Sequence, residues 1–425
     1  MNIIFYTLGC KVNQYETEAM REALFGLGHT SDKALPVDAV VINSCTVTAE
    51  SDRKTRQLVR RCRRNYPNAV ITLTGCMVQA FPEKSKELTE ADIIIGNRDI
   101  SAVIEAINNY NQNKVFTVIS HEKDDIYNTI GISSFDERTR AFMKIQDGCD
   151  RFCTYCIIPF ARGRVRSRKL DDIKAEAQRL ALNKYKEIVL VGINLTSYGK
   201  GENFDLCDAI DAVCSVDGIK RVRLGSLEPD HITDEMLTRM KAQDKFCPQF
   251  HLSLQSGCDQ TLKRMNRHYD TAFYADLVKR IRNTFDNAAI TTDIMVGFAG
   301  ESDEEFNKSL EFAKNIGFAK AHIFAYSRRK GTIADGLKNQ VDNATKETRA
   351  HLMAEVTQQT EIEFLKSQVG NIYPVLFETQ ENDLNEGYTP NYTKIIIENK
   401  KPLTGQILNV LIKAIKVDCC IGELV

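Results

Sequence analysis

Three closely spaced cysteines near the middle of the chain limit its fold and chemistry more than any other feature. They lie in the stretch C-D-R-F-C-T-Y-C at 149–156, so Cys149, Cys153 and Cys156 follow a C-x3-C-x2-C spacing. Such a spacing brings three thiolates onto one tight loop, where they can hold three corners of an iron-sulfur cube. No histidine lies in the loop to complete a zinc tetrahedron. Because a structural metal site is closed by four protein ligands, the missing fourth ligand indicates an iron corner open to a substrate or cofactor.

With an aromatic residue directly before the last cysteine, this loop resembles the radical S-adenosylmethionine (SAM) superfamily. The resemblance implies a 4Fe-4S cluster on Cys149, Cys153 and Cys156, with SAM bound through its amino and carboxyl groups to the open iron. It also implies reductive cleavage of SAM to a 5′-deoxyadenosyl radical, and a position beside the adenine of SAM for Tyr155.

Composition narrows the class of protein. A chain of 425 residues has room for roughly two to four domains. Its formal net charge of −1 argues against a protein that coats nucleic acid, so any RNA binding must come from local patches. Thirteen cysteines without a secretory signal indicate a reducing compartment. There is no run of about 18 apolar residues, and we therefore expect a cytoplasmic protein without a membrane segment.

The region 1–134 shows strand patterns at 3–8, 39–42 and 69–74, separated by amphipathic helical segments, which is typical of a parallel βαβ sheet. Cys10, Cys45 and Cys76 each follow one of these strands. Because the carboxyl ends of parallel strands share one edge of a sheet, the three thiols should converge and form a second metal site. The alternative is that they are buried cysteines acting as small hydrophobic residues.

The segments around these cysteines, T-L-G-C-K-V-N-Q-Y-E at 7–16, N-S-C-T-V-T at 43–48 and T-G-C at 74–76, resemble the methylthiotransferases. That resemblance implies an auxiliary 4Fe-4S cluster on Cys10, Cys45 and Cys76. The first segment is similar to the branch that acts on threonylcarbamoyl-adenosine in tRNA. The isopentenyl-adenosine branch favours G-C-Q-M-N, and the ribosomal-protein branch favours G-C-P-K-N.

Between the second and third of these cysteines, the segment 53–64 is rich in arginine and lysine on one predicted helix. These side chains could contact phosphates or could form a solvated helical face. Cys62 lies inside the same helix and is expected to be a packing residue.

The region 135–365 shows six strand patterns, at 142–145, 187–192, 221–225, 249–254, 290–296 and 321–326, with helical segments between them. Six βα repeats predict a parallel, partly closed (βα)6 barrel. The cysteine loop follows the first strand and should therefore lie at the carboxyl-terminal face of the barrel.

Residues that follow the other strands should line the same face. By resemblance to the superfamily, the turn with Gly192 and Asn194 lies near the SAM amino group, and Ser226 and Glu228 lie near the ribose or a substrate. The remaining two segments match family motifs: L-Q-S-G-C-D at 254–259 contains Gln255, and D-I-M-V-G-F-A-G-E at 293–301 contains Gly297. Two departures occur, because Cys258 replaces a serine and Ala299 replaces a proline. Any of these segments alone could be an ordinary βα turn with a helix cap.

The cysteine loop is followed by Arg162, Arg164, Arg166 and Arg168, which alternate with small or apolar residues. Their forked donors suit RNA phosphates close to the site of radical formation. The alternative is a solvated basic loop. Farther along, Y-S-R-R-K-G-T at 326–332 matches a family motif, and 346–366 is a predicted long amphipathic helix.

The region 367–425 changes to strand alternation at 373–378, 393–398, 406–415 and 419–424, which predicts a small β-barrel. In the methylthiotransferases this place holds a TRAM domain, an RNA-binding β-barrel. Tyr388 and Tyr392 could stack on unpaired bases or belong to the core. Adjacent residues of a strand point to opposite faces, so Cys419 and Cys420 are a poor metal pair.

Taken over the whole chain, the resemblance implies an enzyme that replaces the hydrogen at C2 of N6-threonylcarbamoyladenosine, next to the tRNA anticodon, with a methylthio group. The expected partners are the tRNA anticodon stem-loop and a low-potential electron donor such as flavodoxin or ferredoxin. Isopentenyl-adenosine or a ribosomal-protein side chain are alternative substrates. A different class, a non-catalytic RNA-binding protein with structural zinc on both cysteine sets, is disfavoured by the lack of a fourth ligand in each set.

Overall fold

The computed structural model of the protein describes residues 1–122, 125–128, 130–135 and 139–425. Among these residues, no helix combines the length and the hydropathy required to cross a membrane.

The amino-terminal part of the chain forms a parallel sheet flanked by helices. The strands are β1 (Ile3–Thr7), β2 (Ala39–Ser44), β3 (Val70–Gly75), β4 (Ile93–Ile95) and β5 (Val115–Thr117), and the helices are α1 (Lys11–Gly26), α2 (Ala49–Asn65), α3 (Cys76–Ala80), α4 (Pro82–Lys86) and α5 (Ile100–Asn108). The strands pair in sequence order, and every pairing is parallel. The predicted βαβ sheet is therefore confirmed, and β4 and β5 extend it beyond the three strands seen in the sequence. Cys62 is 2% exposed inside α2, which confirms its packing role.

The central part of the chain is a βα barrel. Its strands are β6 (Arg140–Lys144), β7 (Gln146–Asp147), β8 (Arg166–Ser167), β9 (Glu187–Val191), β10 (Arg221–Leu224), β11 (Ser226–Leu227), β12 (Gln249–Leu252), β13 (Ala289–Val296) and β14 (Lys320–Ala325). Its helices are α6 (Ile158–Arg162), α7 (Leu170–Leu182), α8 (Leu206–Cys214), α9 (Asp234–Lys241), α10 (Asp259–Arg264), α11 (Thr271–Thr284), α12 (Asp303–Ile316) and α13 (Asn343–Gln368), with 3-10 turns at Leu195–Ser197, Pro229–His231 and Ile333–Gly336.

The barrel strands lie in the spatial order β6-β9-β10 and β11-β12-β13-β14, with only Gly225 between β10 and β11. Their ladders are parallel, so the six predicted repeats and the partly closed barrel are confirmed. Among the strands that the structure describes, β6 and β14 are the edges, and the barrel is open between them. Helix α1 of the amino-terminal sheet packs against β6.

The carboxyl-terminal part is a closed five-stranded barrel, as the sequence predicts. Its strands are β15 (Ile372–Glu381), β16 (Leu384–Tyr388), β17 (Lys394–Glu398), β18 (Ile407–Lys416) and β19 (Cys419–Leu424), and they close in the order β15-β16-β17-β19-β18. Strand β16 is the one that the sequence pattern did not reveal. The predicted long helix before this barrel is α13.

Buried charges attach the small barrel to the amino-terminal ends of the βα-barrel strands. Arg223 Nε donates to Glu187 Oε1 at 2.8 Å, and Arg223 Nη1 donates to the carbonyl of Pro390 at 2.8 Å. Arg221 donates to the carbonyl of Tyr388 at 2.8 Å. The Glu187 side chain is fully buried. Burial alone would raise its pKa, but the neighbouring arginines lower it below the ordinary value and keep the carboxylate charged.

We expect Glu187→Ala to lower the free energy of unfolding by about 3 to 5 kcal/mol, because it leaves buried guanidinium groups without their counter-charge. Chemical denaturation followed by circular dichroism measures the change. Glu347→Ala, on the exposed face of α13, is the control. Equal denaturation midpoints for the two variants would show that the carbonyl contacts suffice to neutralise the arginines.

Candidate active site between two cysteine sets

The cysteine loop lies at the carboxyl-terminal face of the βα barrel, where the sequence analysis expects it. Strands β7 and β8 pair on either side of the loop and close its base. The backbone N–H of Thr154 donates to the carbonyl of Met265 at 3.1 Å, which holds the outer part of the loop. Cys149, Cys153 and Cys156 are half-buried. Burial, together with the neighbouring thiols of Cys153 and Cys149, raises the pKa of Cys156 to about 12.

Two residues predicted to lie near SAM are adjacent to this loop. Asn194 Nδ2 donates to Cys149 Sγ at 3.8 Å, and the Asn194 backbone N–H donates to Gln146 Oε1 at 2.7 Å. Gly192 allows the same side chain to approach, because a Cβ at this position would lie 2.7 Å from Gln146 Oε1. The turn after β9 is therefore fixed against the strand that carries the cysteine loop.

Glu228 is linked to the cysteine loop through an arginine that the sequence analysis missed. Arg267 Nη2 donates to Glu228 Oε2 at 2.5 Å, and Arg267 Nη1 donates to Cys153 Sγ at 3.3 Å. The Arg267 side chain is only 4% exposed. A buried guanidinium beside the loop sulfur offsets the negative charge of thiolate ligands. The sequence gives little indication of this contact, because Arg267 lies 114 residues from Cys153.

The other predicted SAM-site residues line the same barrel face. The Tyr155 ring packs edge-on against Phe298, with 6.2 Å between ring centroids. Ser226 is exposed at the break between β10 and β11. Gln255 has a φ of 67°, and its backbone pairs with β13, since its N–H donates to the carbonyl of Asp293 at 2.9 Å. Gly297 has a φ of 68°, and its N–H donates to a Glu301 carboxylate oxygen at 2.6 Å.

The second cysteine set lies at the carboxyl edge of the amino-terminal sheet. Cys10, Cys45 and Cys76 follow β1, β2 and β3. The nearby thiols of Cys10 and Cys45 both contribute to raising the pKa of the Cys76 thiol. Burial, the largest influence, raises the pKa of Cys76 to about 12. Gly9 has a φ of 105°, and a Cβ at Gly9 would lie 2.8 Å from Cys45 Sγ. Only glycine at this turn lets the chain pass the neighbouring thiol.

The side chains of Asn13 and Arg162 contact the cysteines of this second set. Asn13 Oδ1 lies 3.7 Å from Cys10 Sγ and 3.9 Å from Cys76 Sγ, while Asn13 Nδ2 donates to the Ser44 carbonyl at 2.9 Å. Arg162 Nη2 donates to Asn13 Oδ1 at 2.7 Å, and Arg162 Nε donates to Cys76 Sγ at 3.3 Å. Arg162 is the last residue of α6, the helix that follows the central cysteine loop, so its side chain attaches this helix to the second cysteine set.

The contacts of Arg162 continue into a buried network of ion pairs. Arg162 forms two hydrogen bonds with the Glu16 carboxylate, one of them at 2.9 Å. Lys144 Nζ contacts Glu16 Oε1 at 2.7 Å and Asp147 Oδ2 at 2.6 Å. Burial alone would raise the pKa of Asp147, but Lys144 and Arg162 lower it well below the ordinary value. Arg162 and Lys144 therefore form a buried cluster with Glu16 and Asp147, and Arg166 is a third, more distant cation of this cluster.

This network corrects the hypothesis that four alternating arginines contact RNA. Arg162 is 0% exposed, and Arg168 is 3% exposed and donates to Glu176 Oε2 at 2.8 Å. Their donors are therefore used inside the protein. Arg164 is exposed, and Arg166 is partly buried beside Asp147 at 3.5 Å. Arg164 remains a candidate for a phosphate contact because it is exposed, and Arg166 remains one because it is partly exposed.

A cavity of about 510 Å³ lies inside the βα barrel, where it is lined by residues of β6 and of β9 to β14 and is bordered by the small barrel. It is lined by His251, Asp293 and His322 from three successive strands, whose ligand atoms lie within 4.8 Å of one another. His251 Nε2 contacts Asp293 Oδ2 at 3.2 Å. These three residues are not among the predicted site residues, although polar residues at inward positions of apolar barrel strands are a usable signal. Lys11, directly after Cys10, lines the same cavity.

Tyr388 and Tyr392 face this cavity from the small barrel. Their rings stack on each other at 4.7 Å between centroids, and the Arg140 guanidinium lies 5.1 Å from one ring and 5.0 Å from the other. They therefore belong to the junction of the two barrels, and the interpretation of either ring as part of the small-barrel core is wrong.

The sulfur spacing of both cysteine sets fits a cluster better than a single metal ion. Among the described residues, the three sulfur atoms of neither set all lie within 4.8 Å of one another. Tetrahedral zinc with Zn–S bonds of about 2.3 Å would bring them to about 3.8 Å. Three thiols spread around a wider space, with amide and guanidinium donors beside them, suit an iron-sulfur cube with one open corner.

Comparison with known proteins agrees with this arrangement. Residues 143–313 match the radical SAM superfamily, and residues 2–96 match an uncharacterized protein family, UPF0004. Among solved structures, the radical SAM methyltransferase TsrM from Kitasatospora setae superposes with a TM-score of 0.59 at 14% identity, covering 79% of this chain and 77% of that one. The fold and the central cysteine loop thus define a radical SAM protein.

Relatives at higher identity narrow the family. The chain is 37% identical to the threonylcarbamoyladenosine tRNA methylthiotransferase MtaB of Bacillus subtilis, over 96% of this chain and 93% of the relative. It is 33% identical to the tRNA-2-methylthio-N(6)-dimethylallyladenosine synthase of Clostridium perfringens strain SM101, over 99% and 96%. The chain therefore belongs to the methylthiotransferase family of radical SAM enzymes.

Proposed function

We propose that this enzyme transfers a methylthio group to C2 of N6-threonylcarbamoyladenosine next to the anticodon of tRNA. The observation that carries the proposal is the presence of two three-cysteine sets linked through α6, whose last residue, Arg162, contacts Cys76, together with a barrel cavity lined by Lys11, the neighbour of Cys10. Full-length similarity to relatives named for this reaction supports the substrate. The chain uses SAM and two 4Fe-4S clusters, which supply the radical, methyl and sulfur chemistry when bound.

We assign a proposed role to each group of residues in the two cysteine sets and the barrel face. Cys149, Cys153 and Cys156 would hold one cluster, with Asn194 and Arg267 as hydrogen-bond donors to its ligands. Cys10, Cys45 and Cys76 would hold the other. The remaining candidates for SAM contact are Tyr155, Gly192, Ser226, Glu228, Gln255 and Gly297.

The cavity inside the βα barrel is the proposed space for the target base. A base paired and stacked in RNA cannot reach such a cavity, so the adenosine must be unstacked, as in recognition of single-stranded loops. We infer that regions 1–134, 135–365 and 367–425 act as the auxiliary-cluster domain, the radical SAM core and a TRAM-like RNA-binding domain. Arg164 and Arg166, together with the basic face of α2, are the proposed phosphate contacts. A low-potential donor such as flavodoxin or ferredoxin would supply electrons.

The test is anaerobic reconstitution followed by incubation with SAM, dithionite and tRNA carrying N6-threonylcarbamoyladenosine. Nucleoside mass spectrometry should detect 2-methylthio-N6-threonylcarbamoyladenosine. The same assay with isopentenyl-adenosine tRNA tests the second candidate, which the relative from Clostridium perfringens favours. Formation of deoxyadenosine without either methylthiolated nucleoside would indicate a different substrate, for example a ribosomal-protein side chain.

A further inference from the structure

Lys11 stands out among the cations that line the barrel cavity. The other lysines and arginines there have carboxylate partners: Arg140 with Glu378 at 2.5 Å, Arg223 with Glu187 at 2.8 Å, Lys320 with Glu361 at 3.2 Å and Lys394 with Glu386 at 2.9 Å. Within residues 1–122, 125–128, 130–135 and 139–425, Lys11 has no carboxylate within ion-pair distance and no hydrogen bond from its ammonium group.

The surroundings of Lys11 favour an anionic ligand. Its Nζ lies 5.9 Å from the centroid of the Phe142 ring, on the first barrel strand, and Lys11 itself remains exposed. Asp293, the carboxylate of the opposite cavity wall, is engaged by His251 at 3.2 Å. An unpaired ammonium group in a recess with low-dielectric walls attracts a negative group more strongly than one on an open surface.

The target base of the proposed reaction carries one such group. The threonylcarbamoyl substituent of N6-threonylcarbamoyladenosine ends in a carboxylate, whereas an isopentenyl substituent carries no charge. Lys11 is also the residue next to Cys10, so its backbone is adjacent to the auxiliary cysteine set while its side chain lines the cavity. We propose that the Lys11 ammonium group binds the threonyl carboxylate and thereby selects this substrate. The inference rests on the proposed function.

The test compares anticodon stem-loop RNAs that differ only in this charge. One carries N6-threonylcarbamoyladenosine as the free acid, and the other carries its methyl ester. Fluorescence anisotropy with the reconstituted holoenzyme gives the Kd of each RNA for the wild type and for the Lys11→Gln variant. Because a hydrogen bond to a charged group contributes about 1.5 to 3 kcal/mol, the wild type should prefer the acid by about tenfold to a hundredfold.

Lys11→Gln should reduce the ratio of ester Kd to acid Kd to about one. Lys320→Gln is the matched control, because Lys320 lines the same cavity but is neutralised by Glu361, and this variant should keep the wild-type ratio. A purely structural effect of Lys11→Gln would weaken both RNAs together and leave the ratio unchanged, which overturns the proposal. Equal binding of acid and ester by the wild type overturns it as well.

Failure of the proposed function gives a different result. If the wild type prefers the acid and Lys11→Gln loses this preference, but no methylthiolated nucleoside is found by mass spectrometry, the reaction is wrong while the carboxylate contact of Lys11 stands. If the methylthiolated product forms and the Lys11→Gln variant retains the acid preference, the reaction stands and the role of Lys11 is wrong.

Discussion

We expect the Cys76→Ala variant to cleave SAM to 5′-deoxyadenosine and yet form no methylthiolated tRNA, whereas Cys153→Ala should lose both products. The two cysteines belong to separate sets on separate sheets, so each substitution removes a ligand from one set and leaves the other intact. Removing one member of a catalytic group typically lowers turnover about a thousandfold or more. Deoxyadenosine by liquid chromatography and the modified nucleoside by mass spectrometry measure the two activities in one sample.

Cys62→Ala is the matched control for both variants. Cys62 is buried in α2 among apolar side chains and contributes to neither set, so both products should persist. Loss of deoxyadenosine in Cys76→Ala would mean that the auxiliary set is needed for SAM cleavage itself. Formation of methylthiolated tRNA by the Cys76→Ala variant would show that the reaction does not require Cys76.

The strands and the positions of the cysteines could be predicted because their signals are local. Alternating or continuous apolar runs mark the barrel strands, and the predicted ends agree with the observed ones to within two residues, as for 249–254 against Gln249–Leu252. Strands β4, β5 and β16 were missed, and so were the two-residue strands β7 and β8. Ile93–Ile95 and Val115–Thr117 are each three residues long, too short for a period to be recognised.

The buried charges could not be predicted because their partners are far apart in sequence. Arg162 pairs with Glu16 across 146 residues, and Arg267 contacts Cys153 across 114. Arginine is almost never fully buried unless it is paired, so an arginine-rich loop indicates surface until its partners are known. At 162–168 the first and last arginines are buried and the two between them are exposed or partly exposed, and the sequence pattern does not distinguish between them.

The second prediction with a large expected effect is the loss of stability and of iron binding when Arg162 is replaced. We expect Arg162→Met to lower the free energy of unfolding by about 3 to 5 kcal/mol, because the Glu16 carboxylate would then keep only Lys144 as a buried counter-charge. Asp147 would keep Lys144 and the more distant Arg166. The substitution also removes the donor to Cys76 Sγ and the anchor of Asn13 Oδ1. The variant should therefore bind less iron on reconstitution, at the auxiliary set first. Thermal melting and iron content per chain measure the two effects.

Three companion variants separate the explanations of this result. Arg162→Lys keeps the charge but loses the two-pronged contact with Glu16, and should fall between wild type and Arg162→Met. Adding Glu16→Gln to Arg162→Met should restore part of the stability, because it removes the unpaired charge. Arg164→Ala, at an exposed position of the same loop, should leave melting unchanged and weaken tRNA binding, with a salt slope reduced by about one. If Arg162→Met instead melts normally and weakens tRNA binding as Arg164→Ala does, Arg162 must reach the RNA, and the buried network is not what holds the two cysteine sets together.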